Sequence, residues 1–226
     1  MKKFVLLLPV AFLLLSLDRI ASDRIFPPAE AVAKSWDEAA PTFPARNEGR
    51  FGLPGDPLNL VIIGRPEVVR AALRSAGWTE IPTAVRGSLW AGMKEFLTGR
   101  PIAAFPPMND YRLRGRRQNM NWALPVRFLQ ERHHFRLWRT GTTDPSGRDF
   151  WWGSANYDLR VRWRDLSHVP DPDANKERDF IVSTLTNSPR QRGILILPAP
   201  QVPTEGENDK GYPFKTDGRV AVIDLR

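Results

Sequence analysis

The chain has 226 residues, 42% of them hydrophobic and 26% charged, a balance that excludes a disordered polypeptide and allows one substantial globular domain. The absence of cysteine excludes disulfides, thiolate metal sites and cysteine nucleophiles. The formal net charge of +8 favours anionic partners, which include phosphate groups, acidic lipids and nucleic acid.

The N-terminus has the pattern of an export signal. Lys2 and Lys3 precede an apolar run from Phe4 to Leu17. That run is shorter than the ~20 residues of a transmembrane helix and fits the core of a secretory signal. Because the residues after it form a poor cleavage site, residues 1–21 are predicted to be either a cleaved signal peptide or an uncleaved signal-anchor. In both cases the domain is expected in the periplasm, and an uncleaved segment would tether it to the inner membrane.

The next part of the chain divides into a linker and the start of a folded domain. Residues 22–55 are predicted to be a Pro-rich linker, because proline and glycine interrupt them repeatedly. The folded domain is expected over residues 56–226. It opens with the apolar run Leu58–Ile63, which predicts a buried strand. A helix should then begin near Pro66 and end at Gly77.

Apolar periodicity and turn residues predict the rest of the domain. An inserted helix is expected from Thr83 to Leu97. A two-stranded hairpin, a helix and two further strands follow, at His133–Thr140, Asp149–Trp163, Asp171–Asn187, Ile194–Leu197 and Arg219–Leu225. This order is compatible with an α+β fold, a ferredoxin-like β-α-β-β-α-β sandwich with an inserted helix and an extra C-terminal strand.

All three histidines of the chain lie in two short clusters of charged residues, where they can bind a metal, hold an anion or move a proton. His133 and His134 are adjacent in a predicted strand, so their side chains must point to opposite faces. His133 shares its face with apolar residues and is expected in the core. His134 shares the other face with Arg136 and Trp138, which predicts an accessible groove.

The second cluster combines His168 with the start of the helix that follows it. Asp173 and Glu177 are four residues apart and therefore lie on one helix face. One imidazole and two carboxylates at this spacing can bind a divalent metal ion or perform general acid–base chemistry. The structural alternative for Asp173 is a helix N-cap, in which its carboxylate accepts hydrogen bonds from free backbone N–H groups.

Two charged residues fall beside the apolar stripe of this helix. Glu177 and Arg178 occupy those positions, and charges near a core need partners. We therefore expect the strand that carries His134 and Arg136 to lie near the start of the helix, with His168 between them. The two clusters would then form one site.

The segment 112–139 holds eight arginines and a single acidic residue, Glu131. Nearby tryptophans could supply stacking faces for nucleic acid. For an exported domain, however, anionic lipid headgroups or phosphate esters are the better partners.

Four segments between residues 56 and 197 carry a family resemblance. They are Asp56-Pro57-Leu58-Asn59-Leu60-Val61, Ala-Ala-Leu-x-x-Ala-Gly-Trp at 71–78, Arg132-His133-His134-x-Arg136-Leu137-Trp138, and His168-x-x-Asp171-Pro-Asp173-x-Asn-x-Glu177-Arg178-Asp179. They resemble the LssY C-terminal (LssY-like) domain family, in which the domain often follows a membrane portion and has no established activity of its own. The resemblance implies a membrane context. The chain departs from the pattern in having only a short N-terminal segment, so action alone and action with a separate membrane-protein partner both stay open.

Three functions of different class follow from these observations. The first is an accessory domain that binds an anionic ligand, a phosphate or lipid headgroup, in a histidine, arginine and tryptophan groove. The second is a phosphate-ester hydrolase, with or without a divalent metal, and the third is a structural subunit of a membrane complex. The candidate catalytic residues are His134, His168 and Glu177. The candidate ligand-binding residues are Arg132, Arg136, Trp138 and Arg178, and the candidate metal ligands are His168, Asp173 and Glu177.

Overall fold

The computed structural model describes residues 29–82, 94, 97–98, 108–127, 131–162 and 167–226. The predicted export signal lies outside these residues, and so does most of the helix predicted over 83–97. Within the described ranges, no helix is long and apolar enough to cross a membrane.

Three α-helices are described in full: α1 (Ala29–Ala39), α2 (Pro66–Ser75) and α3 (Ala174–Leu185). The strands in the described ranges are β1 (Arg46–Glu48), β2 (Pro54–Pro57), β3 (Leu60–Ile63), β4 (Thr79–Ile81), β5 (Arg112–Leu113), β6 (Arg116–Arg117), β7 (Met120–Arg127), β8 (Glu131–Thr143), β9 (Asp149–Arg162), β10 (Ser167–Pro170), β11 (Gln191–Pro198), β12 (Glu205–Glu207), β13 (Pro213–Lys215) and β14 (Arg219–Leu225). The α+β class is therefore confirmed.

A large sheet of eight strands forms the centre of the domain. Its order is β11-β14-β3-β9-β8-β7-β4, and β10 pairs with the outer part of β9. Strand β14 runs parallel to β3, whereas the other neighbouring strands of this sheet are antiparallel. Two smaller sheets, β2-β1-β5-β6 and β12-β13, lie outside it.

The position of β14 departs from the predicted ferredoxin-like topology. The sequence predicts Arg219–Leu225 as an extra strand after a four-stranded core, but β14 lies inside the sheet between β3 and β11. The residues Val220–Ile223 are all buried. A strand that is apolar on both faces needs cover on both sides, and a central position supplies it. Strand β11, whose residues are only half-buried, takes the edge instead.

Alternation along the strands gives the large sheet two different faces. Helices α2 and α3 cover one of them, here called the α2/α3 face, whose core includes Leu60, Phe135 and Ile181. The other face, here called the α1 face, carries Val61 and Trp152 and packs against α1 and the segment after β11. Successive residues of one strand therefore enter different cores.

The folded part of the chain begins before Asp56, the expected start of the domain. Residues 29–55, assigned to the linker by the sequence, form α1, β1 and β2. Trp36 packs edge-on against Phe43 at 5.3 Å between ring centroids, and Phe43 does the same with Trp152 at 6.0 Å. These buried aromatic contacts attach the segment to the α1 face, and its proline residues do not prevent that packing.

Asn59 connects three elements on its own. Its side-chain nitrogen donates to the carbonyl oxygens of Ala155 (3.1 Å) and Ala174 (3.0 Å), and its side-chain oxygen accepts from the Ala155 N–H at 2.9 Å. The amide therefore ties the start of β3 to β9 and to the first residue of α3.

Strands β8 and β9 form the predicted hairpin. His133 pairs with Tyr157 and His134 with Asn156. Near the turn, Arg139 pairs with Trp151 and Thr143 with Asp149, so a step of four residues in β8 faces a step of two in β9. The two additional residues of β8 form a local irregularity of that strand next to the turn.

Candidate functional site

A pocket of about 380 Å³, counting its open mouth, lies on the α1 face. The space that can be compared with known cavities is about 30 Å³, far below the roughly 300–1,000 Å³ of drug-sized ligand sites, so the pocket suits only a small group. The large sheet supplies one wall, with side chains of β8, β9 and β10: Arg132, His134, Arg136, Asn156, Asp158, His168 and Pro170. The opposite wall comes from β2, the segment before β5 and the β12–β13 turn: Asp56, Met108, Asn109, Tyr111, Asn208, Lys210 and Tyr212.

Asp158 is the centre of the charged contacts on the sheet wall. Its Oδ2 accepts a hydrogen bond from Arg132 Nε at 3.0 Å and lies 3.1 Å from His134 Nδ1. His168 Nδ1 is 3.6 Å from the same oxygen. Burial alone would raise the pKa of Asp158, but the contacts with its three neighbours lower that pKa well below the usual range. The side chain is therefore a buried carboxylate with Arg132 as its counter-charge.

Both histidines of the pocket are neutral near pH 7. Burial lowers the pKa of His134 below its usual value and lowers the pKa of His168 to about 3, although Asp158 opposes both shifts. The partners assign the tautomers. His134 Nδ1 lies 3.1 Å from a carboxylate without meeting hydrogen-bond geometry, and this charge favours the proton on Nδ1, which leaves Nε2 to accept from Arg136 Nη1 at 3.4 Å. His168 Nδ1 faces Arg132 Nη2 at 3.3 Å, which can only donate, so the proton lies on Nε2.

Arg136 differs from Arg132 in having no carboxylate partner in the described ranges. It is only 4% exposed, and its guanidinium carbon lies 4.5 Å from the centroid of the Tyr111 ring. Its Nε has no hydrogen-bond acceptor among the described side chains and backbone groups. A buried cation without a counter-charge is costly, so an anion in the pocket would stabilise it.

The opposite wall adds further groups that favour an anion. The Nζ of Lys210 lies 5.9 Å from the centroid of the Tyr111 ring. Burial and the charge of Arg136 lower the pKa of Lys210, while Asp56 opposes the shift. The Tyr212 hydroxyl is buried and has no hydrogen-bond partner within the described residues. This wall thus presents a cation and an unused hydroxyl to the pocket.

Glu177 and His133 meet on the α2/α3 face, away from this pocket. Glu177 Oε2 lies 2.6 Å from His133 Nδ1, and the imidazole ring stacks on Phe180 at 3.6 Å between centroids. Burial raises the pKa of Glu177 to about 10 and lowers the pKa of His133 to about 4. One proton shared by the two groups gives a pair with no net charge. The expectation that Glu177 would join His134 and His168 in one site is therefore not met, because the sheet separates them.

The three candidate metal ligands do not converge either. Asp173 is the N-cap of α3 and accepts from the Asn175 N–H at 3.1 Å. His168 lines the pocket, and Glu177 lies on the other sheet face. Across the described residues, no group of three or more metal-binding side chains is close enough to hold an ion. The regular i, i+4 spacing places Asp173 and Glu177 along one helix, but the cap turns Asp173 toward the backbone.

Two candidate ligand-binding residues also lie outside the pocket. Arg178 bonds to Asp179 at 2.8 Å and to Asp217 at 2.6 Å, and it donates to the Arg219 carbonyl at 3.2 Å, which fastens α3 to the start of β14. Trp138 shares the face of His134 as expected, but it is buried in the α1-face core beside Trp152. The structure brings together Arg132, His134, Arg136 and His168.

Several pocket residues were not predicted from the sequence. Asp158 stands two residues from Asn156 in a predicted strand, and this polar alternation was the available signal. Asn208, Lys210 and Tyr212 lie in a segment read as a charged, proline-rich loop, which has no periodicity to indicate that it would close a pocket.

Comparison with known proteins identifies a family. The family model described as LssY C-terminus matches residues 39–220. That range contains every residue of the pocket lining, from Asp56 to Tyr212. Searches of curated proteins and of solved structures gave no match. Because the family match covers more than half of the sequence, the chain belongs to the LssY C-terminus family.

Proposed function

We propose that this domain binds an anionic ligand of the phosphate class in the pocket on the α1 face. The observation that carries the proposal is Arg136, a buried guanidinium with no carboxylate partner among the described residues. A guanidinium presents a planar set of N–H donors that matches the oxygens of a phosphate group. A bound oxyanion would supply both the missing charge and the missing acceptor.

The balance of charge around the pocket supports the same conclusion. Three cations line it (Arg132, Arg136 and Lys210) against two carboxylates (Asp56 and Asp158), which leaves one positive charge when the histidines are neutral. Asp158 is already compensated by Arg132. Asp56 accepts from Asn208 Nδ2 at 2.9 Å, and this contact occupies one of its oxygens. Within the described part of the chain, the cation without a carboxylate contact is therefore Arg136, which lies at the Tyr111 ring, since the charges of Asp56 and Asp209 act on Lys210.

Calorimetry with inorganic phosphate and a phosphate monoester tests this function. Arg136→Met should weaken binding about 10- to 100-fold, because a charge-assisted hydrogen bond contributes about 1.5–3 kcal/mol. Arg139→Met is the matched control, since Arg139 is on the same strand, half exposed and paired with Asp149 at 2.8 Å outside the pocket lining. The control should bind as the wild type does. Equal binding by Arg136→Met and wild type, or no binding by wild type, would overturn the proposal.

A further inference from the structure

The turn between β1 and β2 exposes two apolar side chains beside each other. Phe51 is 98% exposed and Leu53 is 50% exposed. Arg50, next to them, is also exposed. Residues 49–53 form the end of this turn, the 49–53 tip. Single exposed apolar residues are ordinary on protein surfaces, whereas a fully exposed phenylalanine with a second apolar neighbour at the end of a turn requires an explanation.

The backbone at Phe51 makes this exposure more unusual. Phe51 has φ 59° and ψ 20°, a left-handed conformation that is unfavourable for a bulky residue. The turn holds it there through the Gly49 N–H, which donates to the Leu53 carbonyl at 2.8 Å, and the Leu53 N–H, which donates to the Arg50 carbonyl at 3.1 Å. The folded state therefore contains backbone strain at Phe51, although its exposed ring contributes nothing to the core. Strain of this kind is typical of binding positions.

The 49–53 tip is attached directly to the wall of the anion pocket. The Arg50 N–H donates to Asp209 Oδ2 at 3.0 Å, and the Tyr111 hydroxyl donates to Asp209 Oδ1 at 2.7 Å. Asp209 is the residue between Asn208 and Lys210, and both of these line the pocket, as does Tyr111. A Cβ on Gly49 would lie 2.2 Å from the Asp209 carboxyl carbon, so the tip and the pocket wall are closely packed. Their relative position is fixed by these contacts.

We infer that the 49–53 tip inserts into the interfacial layer of an anionic phospholipid bilayer, and that the pocket beside it receives the phosphate of a lipid headgroup. The binding of a headgroup phosphate in the pocket rests on the proposed function. An aromatic and an aliphatic side chain flanked by an arginine suit the boundary between acyl chains and headgroups. Two side chains are a small patch compared with the roughly 800 Å² that each partner buries in a stable protein complex, and this favours a lipid surface over a protein partner. The net charge of +8 adds attraction to an acidic surface.

Fluorescence quenching by brominated lipids tests insertion in the full chain. The variant Phe51→Trp is mixed with phosphatidylglycerol vesicles that contain brominated phosphatidylcholine, and the wild-type spectrum, which reports eight native tryptophans, is subtracted. Val126→Trp is the matched control, because Val126 is 55% exposed but lies in β7, outside the tip. We expect loss of the emission added at position 51 and retention of the emission added at position 126. Equal quenching at the two positions, or no quenching at position 51, would overturn insertion. Because both variants carry the same N-terminal segment, any anchoring by that segment cancels in the comparison.

A second variant and phosphate calorimetry together separate the failure of insertion from the failure of the pocket. Phe51→Gly removes the ring and suits the left-handed backbone, so its melting temperature should equal or exceed that of the wild type. It should bind inorganic phosphate as the wild type does in calorimetry. Quenching at position 51 without phosphate binding by the wild type would support insertion and overturn the pocket assignment. Phosphate binding without quenching would support the pocket and overturn the lipid surface as the source of the anion.

Discussion

The two faces of the large sheet treat adjacent histidines in opposite ways. On the α2/α3 face, His133 shares one proton with Glu177 and stacks on Phe180, so charge is cancelled inside a packed core. On the α1 face, His134 lies between the Asp158 carboxylate and Arg136, in a pocket with an excess of positive charge. One strand thus supports a structural contact and a candidate binding contact at consecutive positions. Two residues of the same type therefore have different roles, because one has its polar contacts satisfied within the core and the other lies in a charged pocket.

The same distinction separates the two arginines of the pocket. Arg132 and Arg136 are on the same strand and the same face, and they are 5% and 4% exposed. Arg132 has the Asp158 carboxylate at 3.0 Å, whereas Arg136 has an aromatic ring and an imidazole. A buried cation with a counter-charge contributes to folding, and one without a counter-charge is available to a ligand.

The largest effect expected from this comparison is on stability. Arg132→Met should lower the free energy of unfolding by about 3–5 kcal/mol, because it leaves Asp158 as a buried carboxylate without its guanidinium. Arg136→Met should stay within about 1 kcal/mol of the wild type, since the loss of its contact with Tyr111 is offset by removal of an uncompensated charge. Urea denaturation of both variants measures the difference. Equal losses would show that the two arginines are not distinguished by their partners.

The next effect concerns pH on the α2/α3 face. The raised pKa of Glu177, about 10, means that the native state keeps a proton that the unfolded chain releases above its ordinary pKa of 4.5. This contribution to stability is therefore lost as pH rises, by up to about 1.4 kcal/mol per pH unit. Glu177→Gln cannot release that proton, so its stability relative to wild type should increase by up to about 2.7 kcal/mol from pH 7 to pH 9. Denaturation curves at the two pH values provide the measurement, and a difference that does not change with pH would contradict a protonated Glu177.

The smallest effect concerns the start of α3. Asp173→Ala removes the N-cap hydrogen bond to the Asn175 N–H and should lower the free energy of unfolding by about 1 kcal/mol. Phosphate binding should not change, because Asp173 does not line the pocket. Thermal denaturation with and without added magnesium or zinc supplies the check on the metal interpretation. A stabilisation of the wild type by either ion that disappears in Asp173→Ala would restore Asp173 as a ligand.

Local periodicity accounts for the parts of the site that could be predicted from the sequence. The two-residue alternation of a strand placed His133 and His134 on opposite faces and put Arg136 on the side of His134. The acid at Asp173 was also a recognisable cap signal. These predictions needed only the geometry of one element.

The remaining features depend on how elements pack against one another. The helical spacing of Asp173 and Glu177 says that they share a helix face, but it does not say which side of the sheet that helix covers. The inclusion of β14 inside the sheet depends on a parallel pairing with β3, more than 150 residues earlier in the chain. The pocket wall at Asn208–Tyr212 depends on Asp209 meeting the 49–53 tip, and neither segment has a periodic pattern.

The irregularity of β8 near its turn separates the length of the hairpin end from the positions of the histidines. A step of four residues in β8 faces a step of two in β9, whereas His133 and His134 lie in the regularly paired part, opposite Tyr157 and Asn156. A shift of this pairing by one residue would exchange the faces: His134 would then meet α3, and His133 would enter the pocket. Because an irregularity next to the turn can absorb extra residues without such a shift, we expect insertions and deletions to be tolerated during evolution at the turn end of β8 and not in the paired part that carries the histidines.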